Sequence, residues 1–125
     1  ATLTKEIQIE KGKGVYTQTC FVCHQPEGQG VAGQIPPLAK SDYLKRLNNE
    51  EAIRLVLAGM SGEVTVNGKT YNGTMTPLSY LSDDQIANVL TYVRNSFGNE
   101  GDIVTAVEVK QVRATVTPPA ANQFE

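Results

Sequence analysis

The sequence predicts an all-α fold carrying one small β-hairpin and an extended C-terminal tail. Three observations support it. Ile86, Val89, Leu90, Val93 and Phe97 recur at helical spacing behind a capping pattern. Ile53, Val56 and Leu57 give a second apolar helical face. Asn67-Gly68 interrupts an alternating stretch, as a tight hairpin turn does. The division expected is a folded unit over residues 1–100 and a tail, extended or partly disordered, over residues 101–125.

Residues 7–20 read as a first helix, with Val15, Tyr16, Thr19 and Cys20 able to share a face. Gly12 and Gly14 weaken its propensity, which suits a place where another backbone comes close. Residues 25–40 hold Gly28, Gly30, Gly33, Pro36 and Pro37 and read as loop. A second helix spans about residues 49–58, capped by Asn48 or Asn49 and ended by Gly59. Residues 64–71 form the hairpin, since Asn67 and Gly68 both accept positive φ. The last helix opens with Ser82 and Gln85 as a capping box and Leu81 and Ile86 as a staple, and Gly98 stops it. Ile103, Val104, Val107, Val109 and Val112 favour extended chain beyond it. Pro118-Pro119 and the polar end suggest disorder.

The chain has 125 residues, enough for one domain with a modest core. Apolar residues make up 40% and charged residues 19%, within the globular range. The net charge of −2 comes without a basic stripe, which argues against a nucleic-acid partner. No apolar run approaches the roughly 18 residues of a membrane span. The chain opens at Ala1 with neither an initiator Met nor a leader pattern, so either a signal peptide has been removed or this is a piece of a longer protein.

Cys20-Phe21-Val22-Cys23-His24 carries the chemistry, and it uses both cysteines and the sole histidine. The pattern attaches haem c: two thiols add to the porphyrin vinyl groups, and the following histidine reaches the iron. A redox dithiol is the first alternative, but it wants a thioredoxin-like setting of strands and helices. Zinc is the second, but it wants about four Cys or His ligands and the chain offers three. One covalent haem c held by Cys20, Cys23 and His24 is the reading adopted.

A lone histidine excludes a bis-histidine iron within one chain. A thioether is the natural sixth ligand and raises the potential. Met75 is the candidate, in a flexible Gly-Thr-Met-Thr-Pro loop able to fold over the haem face opposite His24. Met60, after Gly59, is the alternative and otherwise serves in packing or at the haem edge. An open sixth position would turn the protein into a haem enzyme or gas sensor.

Over roughly residues 5–99 the chain resembles class I cytochromes c. Gly12 and Tyr16 on the first helix, with Val89, Tyr92 and Val93 on the last, match the family's crossed helix pair. Ile35-Pro36-Pro37-Leu38 resembles its Gly-Pro-x-Leu stretch. The resemblance implies that the Pro36 carbonyl accepts from the imidazole of His24 and that Leu38 lies against the haem. Ile35 stands where the family often has glycine, so the carbonyl could instead be that of Pro37, and a double proline is also simply a stiff loop.

Residues 67–78 and 81–93, with Val107-Glu108-Val109-Lys110 and Val112-Arg113, are similar to the haem c domain fused to some copper nitrite reductases. That resemblance implies a chain that passes electrons to a copper core. The chain cannot itself reduce nitrite that way, because a type 1 copper site alone wants two histidines.

The function expected is one-electron transfer, not catalysis, to redox partner proteins that include a copper nitrite reductase core, or as a free shuttle. Partners would dock near Cys20, Phe21, Val22 and the Met75 loop, with Phe21 itself packed inward. Residues 102–116 could add a strand to a partner. The periplasm is the expected location, since the bacterial family attaches haem outside the cytoplasm.

Overall fold

The computed structural model describes residues 2–116, without the side chains of Thr2, Leu3 and Val22. The expectation of disorder at Pro118-Pro119 lies outside the described residues.

Helix α1, Thr2–Val15, runs into a wider π-helical turn, Tyr16–Cys20, and then a last turn α2, Phe21–His24. The helix begins earlier than the sequence reading placed it. Lys5, Glu6, Gln8 and Glu10 are good helix formers and extend it backward. Gln25 breaks it with a positive φ of 71°.

Helix α3, Asp42–Arg46, was not anticipated; Ser41 caps it by accepting from Leu44 N–H at 3.0 Å. Helix α4, Asn49–Ala58, starts at a capping box. Asn48 Oδ1 accepts from Glu51 N–H at 2.8 Å and Glu51 Oε1 from Asn48 N–H at 2.9 Å.

Strands β1, Met60–Val66, and β2, Lys69–Met75, form an antiparallel pair. Asn67 and Gly68, at φ 53° and 79°, make the turn. The ladder extends beyond residues 64–71, because pairing continues through Gly62 and Gly73 to Met60 opposite Met75. Glycines with low strand propensity hid that extension. Asn67 also exchanges hydrogen bonds with Asp42, at 2.9 and 2.8 Å, tying the hairpin tip to α3.

Helix α5, Asp83–Arg94, has the expected box between Ser82 and Gln85, with Leu81 and Ile86 buried across its start. It ends before Phe97, not at Gly98. Side-chain amides take over its final carbonyls: Asn95 Nδ2 donates to Thr91 O at 2.9 Å and Asn99 Nδ2 to Val93 O at 2.9 Å.

The extended C-terminal tail is corrected to a helix. Helix α6, Ala106–Arg113, starts at a Thr105–Glu108 capping box. The cap and the i, i+3 spacing of Val109 and Val112 override the β preference of valine, a weak prior. Val104, Val109 and Val112 are buried in the same core as α4 and α5. The reading of residues 102–116 as a strand offered to a partner falls with this.

Helices α1 and α5 cross at Gly12, where an added Cβ would overlap the Asn88 carbonyl oxygen and lie 2.6 Å from Tyr92 Cβ. Thr91, fully buried, joins three elements there. Its hydroxyl donates to Ala87 O at 2.8 Å and accepts from Val104 N–H at 3.0 Å and Gln8 Nε2 at 3.3 Å. Arg94, 8% exposed, ties α5 to the start of α4 through Asn49 Oδ1 at 2.6 Å and the Leu47 carbonyl.

Burial tends to raise the Glu108 pKa, but hydrogen bonds from Thr105 and Asn49 and the charge of Arg94 outweigh it and hold the group low. A folded-state pKa below the unfolded one stabilises above the unfolded value and is lost as pH falls through the folded value. Glu108→Gln is expected to be less stable at neutral pH and to lose less on acidification below about pH 4. Urea midpoints measured across that range check it.

Candidate functional site

Cys20, Cys23 and His24 share the turn that ends the first helical run. Cys20 closes the π-helical segment and is half-buried, Cys23 is exposed in α2, and His24 is the last residue of α2 and half-buried. A π turn widens the helix by one residue and is common at functional sites. The thiols are not joined to each other. Burial, and then the neighbouring Cys23, push the Cys20 thiol up to about 11. A thioredoxin-type dithiol lowers a thiol pKa instead. Among the described residues no three His, Cys, Asp or Glu side chains are grouped to hold a metal ion.

Burial lowers the His24 pKa, and the backbone of Pro36 partly offsets it. Proline has no N–H, so its carbonyl is the group involved. The net lowering favours the neutral imidazole, the form able to ligate. Its Nδ1 is buried near the Pro36 backbone and makes no hydrogen bond.

Pro36 is held there by the loop around it. An added Cβ on Gly30, at φ +70°, would overlap the Ile35 carbonyl oxygen and lie 2.9 Å from Pro36 O. Gly30 N–H donates to His24 O at 3.1 Å, so one residue contacts both partners. Leu38, half-buried, packs against the core, and its N–H donates to Gly28 O at 2.6 Å. Asn99 Nδ2 donates to Leu38 O at 2.8 Å while holding Val93 O, which fastens this segment to the end of α5.

Met75 is not in a loop. It is the last residue of β2, half-buried against the core, and it faces Met60 across the ladder. Its carbonyl presses on the end of α4, 2.5 Å from where a Gly59 Cβ would be. Phe21, between the two cysteines, is 40% exposed.

The expected pairing of Tyr16 with Tyr92 is present, but sequence reasoning missed Asn99, the close approach of Gly30 to residues 35 and 36, and the place of Phe97 as third member of that aromatic cluster, whose ring centroids lie 5.4 to 5.5 Å apart. Tyr16 hydroxyl donates to Gln25 O at 2.5 Å and pins the exit of the motif turn. The one further signal in the sequence was the i, i+4 spacing of Tyr16 with Cys20. A cavity of about 710 Å³ lies elsewhere, lined by Lys40, Asp42, Lys45, Arg94 and Asp102 among others. Its mixed charge suits no single ligand, and it holds none of the motif residues.

The donor set fits a porphyrin. Two unjoined thiols on one turn, followed at once by a half-buried histidine whose Nδ1 is unpartnered, suit covalent haem attachment. Comparison with known proteins agrees. The cytochrome c family model matches residues 9–97. Cytochrome c-552 of Thermus thermophilus is 37% identical over 116 residues, covering 86% of this chain and 88% of that protein. The fructose dehydrogenase cytochrome subunit of Gluconobacter japonicus is 36% identical over 118 residues, covering 91% of this chain but 24% of that subunit. The cytochrome c subunit of the quinone-type alcohol dehydrogenase of Gluconacetobacter polyoxogenes is 30% identical over 114 residues, covering 89% and 24%. With the attachment motif inside the residues that the family model matches, the chain belongs to the cytochrome c family of haem c electron carriers.

Proposed function

We propose that the chain is a periplasmic one-electron carrier with His24 and Met75 as the axial ligands of its single haem c, serving an oxidoreductase. When bound, the haem supplies a centre that gains and loses one electron. Cys20 and Cys23 would hold the ring covalently, and the carbonyl of Pro36 would orient His24. A partner approaches near Phe21 and the motif turn, through a small and transient contact.

Met75 carries the ligand assignment. Of the two methionines it is the one packed against the core to which Leu38 also belongs. In ferric protein an iron–thioether bond gives a weak far-red band. Met75→Ala is expected to abolish that band and let the reduced protein bind carbon monoxide, while Met60→Ala keeps the band. The reverse pattern makes Met60 the ligand. A band absent from the wild type favours the open-site reading.

The relatives named above are a cytochrome c-552 and cytochrome subunits of dehydrogenases, which supports the broad class of oxidoreductase partner. The resemblance of residues 67–78 and 81–93, with residues 107–110 and 112–113, to nitrite reductase haem domains favours a copper nitrite reductase core within that class. Mixing reduced protein with a copper nitrite reductase and with a quinone-linked dehydrogenase separates the two. Faster oxidation by the nitrite reductase supports the narrower reading, and no reaction with it removes that reading.

A further inference from the structure

Arg113, the last residue of α6, spends its guanidinium on one short segment. Nε donates to Asp83 Oδ1 at 2.8 Å, Nη1 to Ser79 O at 2.8 Å and Nη2 to Leu81 O at 2.7 Å. Ser79 and Leu81 lie in residues 76–81, the chain between Met75 and the Ser82 cap of α5, and Asp83 is the first residue of that helix. The segment's own backbone bonds are few: Leu78 N–H donates to Val56 O at 2.9 Å and Leu81 N–H to Leu78 O at 3.1 Å. Tyr80 at its crest is 73% exposed. Without Arg113 the Ser79 and Leu81 carbonyls would lose their partner and turn to water.

The family match ends at residue 97, so Arg113 lies on an element outside it. Helix α6 is nonetheless fixed to the core by Val109 and Val112, and so gives the arginine a rigid base. The planar fork fits these spread acceptors, and lysine, a point charge with no such fork, cannot hold them together.

We propose that Arg113 is a positioning residue for the sixth ligand: from α6 it holds residues 79–83 in place, and so holds Met75 at the end of β2. The proposal rests on Met75 being the ligand. A detached methionine leaves the iron open, so an added ligand binds more tightly in proportion to the detached fraction. Free imidazole is the probe.

The experiment titrates the ferric holoprotein with imidazole and follows the far-red band, alongside a thermal melt. Arg113→Ala is expected to bind imidazole about tenfold more tightly, the scale of one lost charge-assisted hydrogen bond. Arg113→Lys, which keeps the charge near Asp83, falls between the two and carries the test should the alanine variant fail to accumulate. Arg46→Ala removes an exposed arginine paired with Asp42 at 3.7 Å and is expected to match the wild type. A lowered melting temperature with unchanged imidazole affinity in both Arg113 variants makes the residue merely structural and overturns the proposal. A band that survives Met75→Ala removes the ligand assignment and the proposal together. A band lost in Met75→Ala but indifferent to Arg113 removes the proposal alone.

Discussion

Gly12→Ala is expected to destabilise the holoprotein by about 3 kcal/mol. The new Cβ overlaps the Asn88 carbonyl oxygen and sits 2.6 Å from Tyr92 Cβ. Both obstacles belong to α5 and neither is the tip of a flexible side chain, so the helices must part. Parting them loosens Tyr16 against Tyr92 and weakens the contact that orients the motif turn. Gly14 is the internal control. Nothing lies within 4 Å of a Cβ there, so Gly14→Ala should be neutral or slightly stabilising through better helix propensity. Thermal melts of the two variants should differ by on the order of 10 °C. Equal melts would mean that the helix crossing is not a close one.

Gly30→Ala is expected to cost a similar amount, about 3 kcal/mol, and to alter the haem iron as well. Its φ of +70° disfavours any Cβ, and that Cβ also overlaps the Ile35 carbonyl oxygen. The relief available is to push residues 35 and 36 outward, away from His24. The imidazole then loses the carbonyl that makes it a more basic ligand. A less basic ligand stabilises ferric iron less, so the reduction potential should rise. Voltammetry on the folded variant separates this from simple destabilisation, which leaves the potential of the remaining folded molecules unchanged.

The legible parts of the fold were the local ones. The Ser82–Gln85 box and the stripe behind it set the start of α5, and Asn48 set the start of α4, because caps act over three residues. The same pattern stands at Thr105 and Glu108, but the sequence analysis followed the β preference of the valines there and missed both the box and α6. The end of α5 was misplaced because Asn95 and Asn99 stop it with side-chain bonds that no periodicity announces. At the site, Cys20, Cys23 and His24 were legible because their chemistry depends on adjacency in the chain. Met75 was expected in a loop because glycine-rich pairing does not look like a strand. Gly30, Asn99 and Arg113 act on partners remote in sequence or through a missing side chain, so nothing local marks them.

The account rests on a porphyrin bonded to two sulfurs of one helical turn. Intact-mass spectrometry of the purified, denatured protein tests this most directly, because denaturation frees every group that is not covalently held. The mass expected is the polypeptide plus one haem, and that increment should vanish when both Cys20 and Cys23 are replaced by alanine. A wild-type chain that weighs no more than its amino acids, colourless after denaturation, would contradict the account.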